Sequence, residues 1–153
     1  MENQNGIVRS LKSLAELQVD RIEGYRKAYE ELGTWDLDLK AMFKNNMNQS
    51  ESQKKELDIL LSQCGESDVV AEDSFMAQMH QVWMEIKTAF AKKDRETILS
   101  SCEFGENVII GAYEGSLEKT LTPSVKVTLE RQLAELKAAK GAILLLKNAA
   151  ESV

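Results

Sequence analysis

One proline, Pro123, stands in a chain of 153 residues. Proline breaks helices more strongly than any other residue, because its ring clashes with the i−4 carbonyl and it has no N–H to donate. A chain with so few breakers can hold long helices. Its apolar residues recur three and four positions apart, and runs of Val, Ile and Thr alternating with polar residues are missing. Aromatic residues are 6% of the chain, which also argues against a sheet. The expectation is an all-α fold.

Stop signals divide the chain into five helical segments. The first runs from about Asn5 to Leu32, with Ile7, Leu11, Leu14, Tyr25, Ala28 and Leu32 at helical spacing. Gly33-Thr34 stops it, and Asp36 is placed to cap the next. The second runs from about Asp36 to Cys64 on a stripe of Leu39, Phe43, Leu57 and Leu61, and Gly65 ends it. Residues Glu66 to Asp73 read as an acidic loop. A shorter amphipathic helix follows from about Ser74 to Ala91, carrying Phe75, Met79, Val82, Trp83, Ile86 and Phe90. Asp94 is a fitting N-cap for a fourth segment that reaches about Leu121. Thr122 at N-cap and Pro123 at N1 then open a fifth that reaches about Ala150. Four long helices, with a shorter one between the second and third, predict a ferritin-like antiparallel four-helix bundle with an additional crossing helix.

A chain of this length can bury a real core, and residues 1–153 are expected to form a single domain. The formal net charge is −6, and the short basic runs Lys54-Lys55 and Lys92-Lys93 are flanked by acids. Nucleic acid is therefore not an expected partner, since binding it needs a concentrated basic face. No apolar run is long enough to span a bilayer, and Met1 to Gly6 lacks the apolar stretch of an export signal. Cys64 and Cys102 form no CxxC pair and read as reduced, half-buried core residues. These features lead to the expectation of a cytoplasmic protein without a membrane partner.

A helical wheel at about 100° per residue gives the most informative pattern. The inner line of the first helix passes through Gln18 and Arg21. That of the second passes through Asn46, Ser50 and Lys54. Glu106 lies on the inner face of the fourth, with Glu103 at its edge, and Gln132 and Lys140 lie on that of the fifth. Each long helix thus has apolar ends and a polar middle. Glu106 lies about as far before the Thr122 break as Lys140 lies after it, which makes them expected neighbours.

Three readings of this layer stand side by side. It is a metal site of the di-iron carboxylate kind, with Glu103 and Glu106 as ligands and iron or manganese as cofactor. Or it is a structural ion-pair network, in which Arg21 and Lys140 compensate Glu103 and Glu106 and no metal is held. Or some of its members snorkel outward. The second is preferred, because Gln18, Arg21, Asn46, Ser50, Lys54, Gln132 and Lys140 are not usual iron ligands. The one histidine, His80, has no partner at ligand spacing and is not expected to bind metal or act as a catalyst. Cys102 is expected to be inert. No Gly-rich phosphate loop, nucleophile elbow or zinc pattern is present.

Several strings resemble a bacterial family of ferritin-like four-helix-bundle proteins of unknown function. They are Asp20 with Gly24-Tyr25-Arg26 and Ala28; His80, Trp83 and Lys87; and Cys102-Glu103-Phe104-Gly105-Glu106-Asn107 followed by Tyr113 and Leu117. Where that family often has Glu and His, this chain has Ile22 and Lys140; where it usually has Arg and Asp, this chain has Gln81 and Asn107. The first two changes remove inward ligands, so the resemblance implies the fold rather than an activity. The expected function is non-enzymatic, through binding or assembly. A metal-binding bundle using Glu103 and Glu106, with Asp20 or His80 as further ligands, is the alternative. A module that binds another protein through the crossing helix, around Trp83 and Met84, is a third reading. Partners under these readings are another protein or a second copy of the chain.

Overall fold

Helix boundaries fall where local chemistry places them. A computed structural model describes residues 2–65, 67–71 and 75–151 and contains α1 (Glu2–Leu32), α2 (Leu37–Cys64), α3 (Met76–Lys92), α4 (Arg95–Leu117) and α5 (Pro123–Glu151). No strand occurs among the described residues. Asp36 caps α2 by accepting from the Leu39 N–H at 3.1 Å, and Asp94 caps α4 by accepting from the Thr97 N–H at 3.2 Å. These bonds satisfy donors that the first helical turn leaves open. Gly33 and Gly65, with φ of 57° and 81°, turn the chain out of α1 and α2. Lys93 takes the left-handed conformation after α3, and its N–H bonds the Ala89 and Phe90 carbonyls.

Three boundaries differ from expectation, the first being α1, which begins at Glu2 and not near Asn5. α4 stops at Leu117, not near Leu121. The Glu118 and Lys119 N–H groups turn back to Gly115 and Ser116, tightening the end, and Thr122 precedes a proline, which disfavours helix there. α3 begins at Met76. Its expected start at Ser74, together with Glu66, Glu72 and Asp73 of the expected loop, lies outside the described residues.

Cross-links between helices give their directions. Gln4 of α1 donates to the Cys64 carbonyl at the end of α2, while Arg21 reaches Ser50. Arg131 of α5 pairs with Glu56 of α2, and Gln53 bonds Glu135. Lys147 and Lys137 of α5 pair with Glu103 and Glu114 of α4. So α1 and α5 run one way, and α2 and α4 the other. α3 runs with α1 and packs on α1 and α4, carrying the chain from the end of α2 back to the start of α4.

The core has two apolar parts. One gathers Leu11, Leu14, Leu57, Ile109, Leu129 and Leu136; the other gathers Leu32, Leu39, Phe43, Ile98, Leu99 and Ile143. Between them lie the buried polar residues Gln18, Arg21, Asn46, Ser50, Gln53, Glu106 and Gln132.

Asp36 also accepts from Arg95 at 2.8 Å, tying the start of α2 to the start of α4. Asp36→Ala is expected to lower unfolding stability by about 1–2 kcal/mol in denaturant titration. Asp36→Asn, which keeps the cap and loses the charge, should lose less; equal losses would show that the cap contributes nothing.

Candidate functional site

The polar band is built from all four long helices. Arg21 and Glu106 have only 1% and 2% of their side-chain surface exposed, and Arg21 Nε donates to Glu106 Oε1 at 3.0 Å. Tyr25 Oη donates to the same oxygen at 2.6 Å. Arg21 Nη1 donates to Ser50 Oγ at 2.8 Å, to Gln49 Oε1 at 2.9 Å and to the Asn46 carbonyl at 3.4 Å. The guanidinium thus joins α1, α2 and α4. Burial works against its charge, but Glu106 more than offsets this and holds it protonated. Burial and then Glu106 push the Tyr25 phenol far above its ordinary range, so it remains a donor. The same two causes push the Cys102 thiol up, which leaves it protonated and poorly nucleophilic.

A second run of bonds lies one layer away. Gln18 Nε2 donates to Gln53 Oε1 at 2.7 Å and to Tyr113 Oη at 2.8 Å. Tyr113 donates on to Gln132 Oε1 at 2.6 Å, and Gln132 Nε2 bonds the Gln53 carbonyl and Glu56 at 3.1 Å each. Four atoms of the band, Gln18 Oε1, Arg21 Nη2, Asn46 Nδ2 and Glu106 Oε2, are buried without a hydrogen-bond partner among the described residues.

Gln18, Arg21, Glu106 and Gln132, all read from the wheel, come together here. Glu103 does not join them: it is half-buried at the side of α4, accepting from Lys147 at 3.2 Å. Lys140 is also half-buried, and the ion pair of Glu106 comes from Arg21 instead. The Lys147–Glu103 and Lys137–Glu114 pairs set the register between α4 and α5. In it Glu106 stands opposite Leu144, about one turn past Lys140. The symmetric count from Thr122 failed because α4 ends early and a five-residue link follows it. Lys54 points outward to Asp58, and the neighbouring Gln53 takes the inner position. The Lys-x-x-x-Asp spacing was a signal of that surface pair. Helical spacing marks Tyr25 and Tyr113 as apolar positions and carries no signal of the bonds that their hydroxyls make.

The donor set does not fit a di-metal centre. Among the described residues one carboxylate, Glu106, faces the middle of the bundle, and its neighbour there is a guanidinium. Among the described residues no group of three His, Cys, Asp or Glu could hold a metal ion.

A second concavity lies on the outside, where α3 crosses α1. Two glycines permit the close approach. A Cβ added to Gly24 of α1 would fall within the Trp83 indole, and one added to Gly105 of α4 would stand 3.0 Å from a Val82 methyl. Trp83 packs edge-on to Tyr25 at 5.1 Å between ring centres. Beside this contact is a groove of about 380 Å³. Gly24, Ala28, Trp83, Ile86 and Phe90 form its buried or half-buried floor; Asp20, Glu23, Lys27, Glu30, Glu31, His80, Met84 and Lys87 form its rim. Burial, then Glu23 and Glu16, hold the Asp20 carboxyl above its ordinary value, while His80 pulls it down. Asp20, Gly24, His80, Trp83 and Lys87, drawn from strings more than fifty residues apart, therefore line one groove.

Residues 6–119 match the model of a family described as "Domain of unknown function (DUF2383)". The match runs from α1 past the end of α4 and contains every string quoted for the resemblance. No curated protein matches the chain.

Proposed function

The chain belongs to this DUF2383 family, and from that premise we propose that it is a metal-free, ferritin-like bundle, a single cytoplasmic bacterial domain that acts by binding rather than by catalysis. The observation that carries the reading is Arg21. A fixed cation, bonded to Glu106 and to Ser50 and Gln49 of α2, takes the central place that metal ions take in carboxylate bundles. The two hairpins linked by one long crossover support the ferritin-like assignment. Glu103, held by Lys147 at the side of α4, leaves Glu106 as the lone central carboxylate among the described residues.

The test is metal analysis of protein purified without chelator. The expected result is no stoichiometric iron or manganese. Stoichiometric metal that is lost in Glu106→Gln would overturn the reading in favour of a metal-binding bundle using Glu103 and Glu106. Among the described residues no helix is long and apolar enough to cross a membrane, which suits a partner met in water.

A further inference from the structure

We propose that the groove between α1 and α3 binds an aliphatic di- or polyamine, its methylene chain lying on the apolar floor and its ammonium ends meeting the α1 carboxylates. The proposal rests on the reading of the chain as a binding bundle, and adds the place and the chemistry of the ligand.

Three features of the groove select this class. The first is charge. Asp20, Glu23, Glu30 and Glu31 line it against Lys27 and Lys87. Among the described residues none of the four carboxylates forms an ion pair, although two lysines stand in the same groove. The second is spacing. Glu23 and Glu30 are two turns apart on one face of α1, about 10 Å along the axis. Carboxylates spread over that length suit a cation with two separated ends better than a point charge, and no three ligand side chains converge for a metal among the described residues. The third is the floor. Ile86 and Ala28 give the methylenes an apolar surface, and the Trp83 and Phe90 rings also line the groove, where an aromatic ring attracts an ammonium group. The volume, about 380 Å³, is that of a small-molecule site.

Asp20 gives the site a measurable signature. It is faced by Glu16 and Glu23 from its own helix and by His80 from α3. Its folded-state pKa is raised, so the folded chain holds this proton more tightly than the unfolded chain does. The stabilisation this gives is present at acidic pH and is lost as pH rises through the folded value. Ionised Asp20 therefore weighs against the free protein at neutral pH, and a bound ammonium group relieves that.

The experiment is calorimetric titration of the full chain with spermidine at low salt. Saturable binding at one site is expected. Asp20→Asn with Glu23→Gln should weaken it at least tenfold. Glu51→Gln with Glu130→Gln removes the same charge from exposed positions of α2 and α5 outside the groove, and should leave affinity within twofold. Asp20→Asn alone should bind more weakly yet unfold at higher denaturant than wild type at pH 7, the gain vanishing at acidic pH, so that weaker binding cannot be ascribed to unfolding. No saturable binding, or equal weakening in both double variants, would overturn the proposal. The metal analysis fails or succeeds independently of this titration.

Discussion

Replacing Arg21 with methionine is expected to destabilise the protein by about 3–5 kcal/mol, because it leaves the Glu106 carboxylate buried without its cation. With Glu106 only 2% exposed, little water reaches the pair to screen it. Tyr25 would remain as the donor to Glu106, and one neutral hydrogen bond does not replace a guanidinium. Glu106→Met should cost a similar amount, by stranding Arg21. The double variant Arg21→Met with Glu106→Met should be more stable than either single one, since an apolar pair removes both desolvation penalties. The unpartnered Arg21 Nη2 and Glu106 Oε2 strengthen this expectation, as each is a buried polar atom that the double change removes. Denaturant unfolding of the four proteins forms the cycle. Losses that simply add would mean that the pair carries no coupling and that the band is not organised around it.

Gly24→Ala is the second large effect. Alanine normally stabilises a helix interior by about 1 kcal/mol over glycine. At Gly24 the added methyl falls within the Trp83 indole, so α3 must shift or Trp83 must leave its place against Tyr25. Overpacking of this kind costs about 1–3 kcal/mol, which outweighs the helix gain. Gly141 of α5 supplies the comparison, since nothing lies within 4 Å of a Cβ there. Gly141→Ala should stabilise and Gly24→Ala should destabilise, as read by thermal or denaturant unfolding. Adding Trp83→Leu to Gly24→Ala should recover part of the loss. If both alanine variants stabilise, the α1–α3 contact is looser than described and the groove beside it is not preformed.

The caps and breaks were legible in the chain because they act over three or four residues. Asp36, Asp94, Gly33, Gly65 and Pro123 each end or begin a helix through a bond or dihedral of their own. The division of the inner faces into apolar ends and a polar middle was legible for the same reason: helical period places Gln18 and Arg21 in line with Leu14 and Tyr25 whatever the neighbours do. The wheel loses phase over twenty or more residues, so it points Lys54 inward where the structure has Gln53.

What the chain determined by itself is the set of five helices, their approximate ends and the polarity of their faces, since these follow from backbone hydrogen bonding and period. Which polar groups meet is a tertiary matter. Glu106 meets Arg21 rather than Lys140 because the α4–α5 register depends on side-chain packing and on the shape of a short link, and a shift of one turn changes every partner. The convergence of Asp20 and Gly24 with His80, Trp83 and Lys87 likewise requires α3 to cross α1 at one height. That height is set where two glycines let the helices close, and no local spacing along the chain encodes the distance between two helices.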